Sequence, residues 1–187
     1  MIRINRLSHF VWVTVFTVAM GACSSMTVES DFNRDADFAS YKTFAFISDN
    51  PVLIAGNVPV NPLFEGRAMN AAQAELTRKG FQFVSDRETA DFVVSFTLGA
   101  RDKIRVTNYP SSYHGPARWQ WGAPYYSEVD VRNYTEGTLA IDIFDVRQRG
   151  PVWHGWAVKT ISDADRRNPT PVINEVVSAI LANFPPS

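Results

Sequence analysis

Cysteine is almost absent: the 187-residue chain has one, Cys23, and only three histidines. A disulfide scaffold needs paired cysteines, and a zinc site wants three or four nitrogen or sulfur ligands at regular spacing, so neither is expected. Neither sign of charge is in excess, with 18 basic against 19 acidic side chains, whereas a dedicated nucleic-acid binder normally carries a basic surplus. Glycine is sparse, at 10 residues, which excludes collagen-like repeats. No glycine-rich phosphate cradle and no Gly-x-Ser-x-Gly elbow occurs. What the chain does have is apolar matter: 45% hydrophobic and 13% aromatic residues, too much for a disordered polypeptide.

The first 22 residues read as an address. Residues 1–6 carry Arg3 and Arg6 without an acid, and residues 7–22 are almost entirely apolar. Those are the charged and hydrophobic regions of a secretory signal, and the stretch is short for a membrane span of about 20 residues. It runs into Met20-Gly21-Ala22-Cys23-Ser24-Ser25. Small residues before a single cysteine are similar to a bacterial lipobox, in which the thiol takes a diacylglyceryl group and becomes the new N-terminus. Met20 stands where such motifs usually have leucine. The alternative is an ordinary signal peptide cut nearby. Lipidation explains a lone thiol in an oxidising compartment. At roughly 0.8 kcal/mol per buried methylene, multiple acylation makes an anchor effectively permanent. Ser24, in place of the Asp that retains such lipoproteins in the inner membrane, implies the outer membrane. The expected organisation is a signal peptide at 1–22, a lipidated Cys23 with a short tether at 23–26, and one periplasmic domain at 27–187.

Along that domain, residues 27–32 and 41–47 read as strands, rich in β-branched and aromatic residues. Residues 33–40 form a polar turn, and residues 48–61, with two prolines and a glycine, form a loop. Asn61-Pro62 reads as a helix start, Phe64, Ala68, Ala71, Ala72 and Leu76 share one helical face, and Gly80 closes the helix. A short strand follows at 81–84. From Asp91 to Tyr109, Phe92, Val94, Phe96, Leu98, Ala100, Ile104 and Val106 alternate with polar residues, with Asp102 out of phase. That pattern marks a strand buried on one face. Residues 129–146 mirror it, 152–161 form a further strand, and Val172, Ile173, Val176, Val177, Ile180 and Leu181 stripe a final helix over about 170–183. The order predicts an α+β two-layer sandwich: a mostly antiparallel sheet with two helices on one face and a polar other face.

The stretch from Tyr134 to Ile143 (YTEGTLAIDI), followed by Val152-Trp153-His154-Gly155-Trp156-Ala157, resembles the core signature of an uncharacterised bacterial lipoprotein family, domain of unknown function 4136. Residues 41–46 (YKTFAF), Lys79-Gly80-Phe81, residues 90–96 (ADFVVSF), Ile173-Asn174-Glu175 and Phe184-Pro185-Pro186 are similar too. The resemblance spans nearly the whole domain. It implies a lipid-anchored envelope domain, and it implies no activity and no catalytic residues.

Four groups of residues are candidates for chemistry. Histidines 114 and 154 could serve an envelope enzyme as general acid/base, with Ser111 and Ser112 near His114, but serines in a loop are usually turn formers. A mixed metal site with Asp102 or Asp145 has no spacing signal, so no metal or cofactor is expected. Arg101, Lys103 and Arg105 make a basic row, read either as an anion contact for peptidoglycan, lipid headgroups or an acidic partner, or as cross-strand pairs with Glu136 and Asp142. Residues 109–126 (YPSSYHGPARWQWGAPYY) are the strongest lead: Tyr113, Trp119, Trp121 and Tyr126 are of the types found at binding hot spots and membrane interfaces. A self-packed loop is the alternative. With about four residues between strand and lipid, a tether of at most roughly 14 Å holds the domain against the bilayer. The reading is a non-enzymatic binding or assembly module, with an enzyme or a purely structural lipoprotein as alternatives.

Overall fold

The computed structural model describes residues 26–56, 60–109 and 128–186, and of 101–109 and 128–134 the backbone alone. Seven strands form one mixed sheet: β1 (Met26–Phe32), β2 (Thr43–Phe46), β3 (Val52–Ala55), β4 (Gln82–Phe83), β5 (Phe92–Tyr109), β6 (Glu128–Asp145) and β7 (Gly150–Ile161). Three helices accompany them: α1 (Phe64–Arg78), α2 (Asp163–Arg167) and α3 (Pro169–Leu181). The strand order is β1-β7-β6-β5-β2-β4, with β3 also beside β5. The long ladders β1/β7, β7/β6 and β6/β5 are antiparallel, and the short pairings of β2 with β4 and β5, and of β3 with β5, are parallel. Parallel neighbours need a crossover, which the segment containing α1 supplies.

The α+β class is as expected, with differences of detail. Residues 48–61 are not all loop, because Val52–Ala55 adds a strand whose Leu53 and Ile54 stay 65% and 51% exposed. Four apolar residues between Pro51 and Gly56 are too few to show a period. Helix α1 starts later than Asn61-Pro62: the Asn61 side chain accepts from the Leu63 N–H at 2.8 Å and its carbonyl from the Phe64 N–H at 2.8 Å, so Asn61 organises a turn ahead of the helix. Helix α2 was not expected. Ser162 and Asp165 cap it reciprocally, each side chain accepting from the other's backbone N–H.

The core lies between the sheet and the pair α1 and α3. Alternate residues of the central strands, including Phe44, Phe92, Val94, Phe96, Ile141 and Ile143, are fully buried there with Leu76, Val177, Ile180 and Leu181. Phe92 is the hub: its ring meets Tyr41, Phe44, Phe81 and Phe184 at centroid distances of 5.2–5.8 Å. Gly155 is required for this packing. A β-carbon there would sit 2.7 Å from Trp153 Cζ2 and 2.9 Å from Ile180 Cγ2. The opposite sheet face is mixed. It bears Ser95, Asp142 and His154, and also a small apolar cluster of Ala45, Ala90 and Val93.

Two polar anchors tie the sheet's ends. Asp91 accepts from the Lys42 and Thr43 N–H groups at 2.8 and 2.9 Å and from the Thr43 hydroxyl at 3.0 Å. Partial burial pushes its pKa up, but these donors outweigh it and hold the carboxyl below its ordinary range. The Tyr41 hydroxyl donates to buried Asp145 at 2.8 Å, and burial followed by that bond raises the phenol's pKa well above its usual value.

Candidate functional site

The alternation that begins at Phe92 continues to Val106, broken at Asp102, but the helix layer does not. Leu98 is half-buried and Ala100 is exposed, so the expected inward face ends where its cover ends. Lateral pairing ends at the same place. β3 reaches only Gly99 on β5, and β7 reaches only Thr135 on β6. Beyond those points, among the described residues, β5 and β6 pair only with each other, from Lys103↔Tyr134 to Tyr109↔Glu128. At roughly 3.4 Å per residue, that ribbon is about 20 Å long. Residues 110–127 join its two strands at the far end.

The candidate residues map onto this plan as follows. Arg101, Lys103 and Arg105 lie along β5 where the ribbon leaves the sheet. Their partners in register are Glu136, Tyr134 and Arg132. In register, an acidic residue stands opposite Arg101 alone of the three, and an arginine stands opposite Arg105. Asp142 is not a partner of this row: it lies opposite Ser95 and His154, well inside the sheet. Tyr113, Trp119, Trp121, Tyr126, His114 and Cys23 lie outside the described residues.

His154 is on the sheet face away from the helices. Its Nδ1 lies 2.6 Å from Asp142 Oδ1, and its ring packs against Trp156, tilted by 30°, with centroids 5.0 Å apart. The carboxylate fixes the imidazole's orientation, and half of the side chain faces water. In register on its other side stands Asp31, not a hydroxyl. The arrangement is a hydrogen-bonded imidazole and carboxylate with one side open to water. Asp145 has both oxygens engaged, by Tyr41 and by the Gln148 N–H at 2.7 Å. No cluster of metal-binding type occurs among the described residues.

A cleft of about 620 Å³ opens on the helix side, between the start of α1, α3 and the uncovered parts of β5, β6 and β7. Phe64, Leu98, Leu139, Val172 and Val176 make its walls apolar, and Arg67, Lys159 and Arg166 bring positive charge to it. Sequence reasoning did not single it out. One signal was present: Arg67 interrupts the apolar stripe of α1 directly before Ala68.

The features define a class: an α+β domain whose central hairpin outgrows its own sheet, with an apolar cleft at the root of that hairpin. The chain belongs to the DUF4136 family, a domain of unknown function, which it matches over residues 28–186. In fold it is similar to a DUF4136 family protein from Bacteroides thetaiotaomicron, with a TM-score of 0.55 and 15% identity over 86% of this chain and 96% of that one. It is also similar to a PDZ domain protein from Parabacteroides distasonis, at TM-score 0.51 and 14% identity, covering 87% of this chain and 36% of that one. A PelC dodecamer from Paraburkholderia phytofirmans matches at TM-score 0.49 and 12% identity, over 84% of this chain and 95% of that one. No curated protein matches the sequence.

Proposed function

We propose that the chain is a lipid-anchored outer-membrane lipoprotein whose periplasmic domain is a binding or assembly module, engaging its partner through the β5–β6 ribbon and the aromatic segment 109–126. The observation that carries this reading is the ribbon's isolation. A two-stranded hairpin alone is marginal in water, and among the described residues no strand pairs with either edge of this one. A partner that adds a strand to an edge, or packs on the ribbon's faces, makes good both shortfalls. Tyr113, Trp119, Trp121 and Tyr126 are the contact residues of this reading, with Arg101, Lys103 and Arg105 behind them. The anchor would keep all of this near the bilayer: β1 begins at Met26, and three residues from Cys23 reach at most about 11 Å.

In-cell photo-crosslinking from position 119 or 121 tests the proposal. A discrete protein adduct is expected. Lipid adducts alone would replace the partner with a membrane surface, and no adduct would overturn the reading in favour of a self-packed segment. Intact mass of the membrane-extracted protein tests the anchor, and a Cys23→Ser chain that stayed in the outer membrane would refute it.

A further inference from the structure

The cleft at the root of the ribbon is lined by residues other than those just proposed as contacts, and its chemistry is different. We propose that it is a binding site for a fatty acid, with the acyl chain on the apolar wall formed by Leu98, Leu139, Val172 and Val176 and the carboxylate on Arg67. Three observations converge. First, the size suits one small amphiphile: about 620 Å³ falls inside the common range for small-ligand sites of about 300–1,000 Å³. Second, Arg67 Nη1 is buried and has no hydrogen-bond acceptor among the described residues. A buried charged donor left without an acceptor is costly, and a carboxylate matches a guanidinium's planar fork.

The other charged groups lining the cleft are engaged. Lys159 pairs with Glu175 at 3.2 Å, Arg166 donates to the Thr135 hydroxyl at 2.7 Å, and Asp165 accepts from the Ser162 hydroxyl at 2.7 Å. Arg67 is therefore the cation at this cleft with an unanswered donor. It also lines a smaller groove between α1 and α3, where Glu75 is held by Arg78 rather than by Arg67. Third, exposed apolar residues neighbour the lining residues in sequence or register. Leu63, next to Phe64, is 62% exposed, and Ile54, in register with Leu98, is 51% exposed.

The test uses the full chain in its native membranes, labelled with palmitate carrying a diazirine and an alkyne, with adducts located by peptide mass spectrometry. Adducts are expected to concentrate on the peptides around Leu98 and Val172–Val176 and to be competed by unlabelled palmitate. The matching probe with an alcohol head should label these peptides at least about tenfold less, the scale of a lost charge-assisted hydrogen bond. Arg67→Gln should lower palmitate labelling by a similar factor, and Arg67→Lys should restore part of it. Unchanged melting of each variant shows that the fold is intact. Labelling spread evenly over the surface would overturn the proposal, as would equal labelling by both probes or an Arg67→Gln chain that labels like the parent.

Discussion

The two ends of the β5–β6 hairpin are made of the same two strands and differ in what surrounds them. At the Phe92–Leu98 end, β2, β3 and β7 flank the pair and α1 and α3 cover one face. At the Lys103–Tyr109 end nothing among the described residues flanks it. Apolar alternation runs through both ends. Alternation thus reports that a strand is able to bury a face, and the neighbouring elements decide whether it does. The body holds the packed core, and among the described residues the ribbon has no neighbouring strand or helix. Substitutions should therefore divide sharply by which end they touch.

The largest effect belongs in the body. Gly155→Val places a branched side chain where even a β-carbon would collide with Trp153 and Ile180. Both neighbours are fully buried and have no room to retreat. A loss of about 3 kcal/mol or more in urea unfolding is expected, the upper range for overpacking a core. A cost below about 1 kcal/mol would mean that the core is looser than its aromatic contacts imply.

Next in size is the pH response of the body. Asp91 and Glu75 have folded-state pKa values below their ordinary ones. For Glu75 the leading cause is the Arg78 guanidinium hydrogen bond, working against burial. Groups of this kind contribute stability above their unfolded pKa, and that contribution is lost as pH falls through the folded value. Tyr41 is shifted the other way, so its contribution is complete below the unfolded value near 10 and is lost as pH rises beyond it. Thermal melts should show a plateau between these limits. Asp91→Asn should flatten the acid limb, and Tyr41→Phe the alkaline one. An acid limb unchanged by Asp91→Asn would remove Asp91 from this account.

Much of the body was legible because its signals are local. The alternation at Phe92, Val94 and Phe96 and the stripe of α3 from Val172 to Leu181 each depend on residues close in sequence. What escaped depends on distant register. The pairing of His154 with Asp142 follows from how β6 meets β7, and the parallel placement of β2 and β3 follows from a crossover. Helix α2 is a different case, since Ser162-Asp163-Ala164-Asp165 is a capping signature that could have been read. The cleft escaped for a geometric reason: it is the space left between α1, α3 and the sheet, and no residue pattern encodes a gap. Arg67 was visible only as a cation out of place on an apolar stripe.

A smaller effect tests a single turn of the body. Arg149 adopts a left-handed conformation, with φ at 53°, between β6 and β7. Its N–H donates to the Asp145 carbonyl at 2.9 Å, so the conformation is held by the turn. Arg149→Gly removes the steric penalty of a side chain there, offset by the glycine's greater freedom when unfolded. A gain of about 0.5 kcal/mol in unfolding free energy is expected. A loss would show that the Arg149 side chain contributes more than its backbone costs.

The smallest effect on stability should come from the largest excision. Replacing residues 103–134 with Asn-Gly joins Asp102 to Thr135, which are already opposite each other, through a turn suited to a two-residue hairpin. The ladder to β7 ends at Thr135↔Ile161 and the Arg166 bond to Thr135 is kept, so the body loses no lateral partner. Unfolding free energy should stay within about 0.5 kcal/mol of the parent, the range of surface changes that touch no core feature. The excised chain should at the same time fail to compete with the parent for its crosslinked partner. If the excision instead destabilised the body by several kcal/mol, the ribbon would be folding back on the domain, and its isolation could not support a role in binding. If stability held and capture by the partner persisted, the binding surface would lie on the body, and attention would move to the half-buried His154–Trp156 face of the sheet.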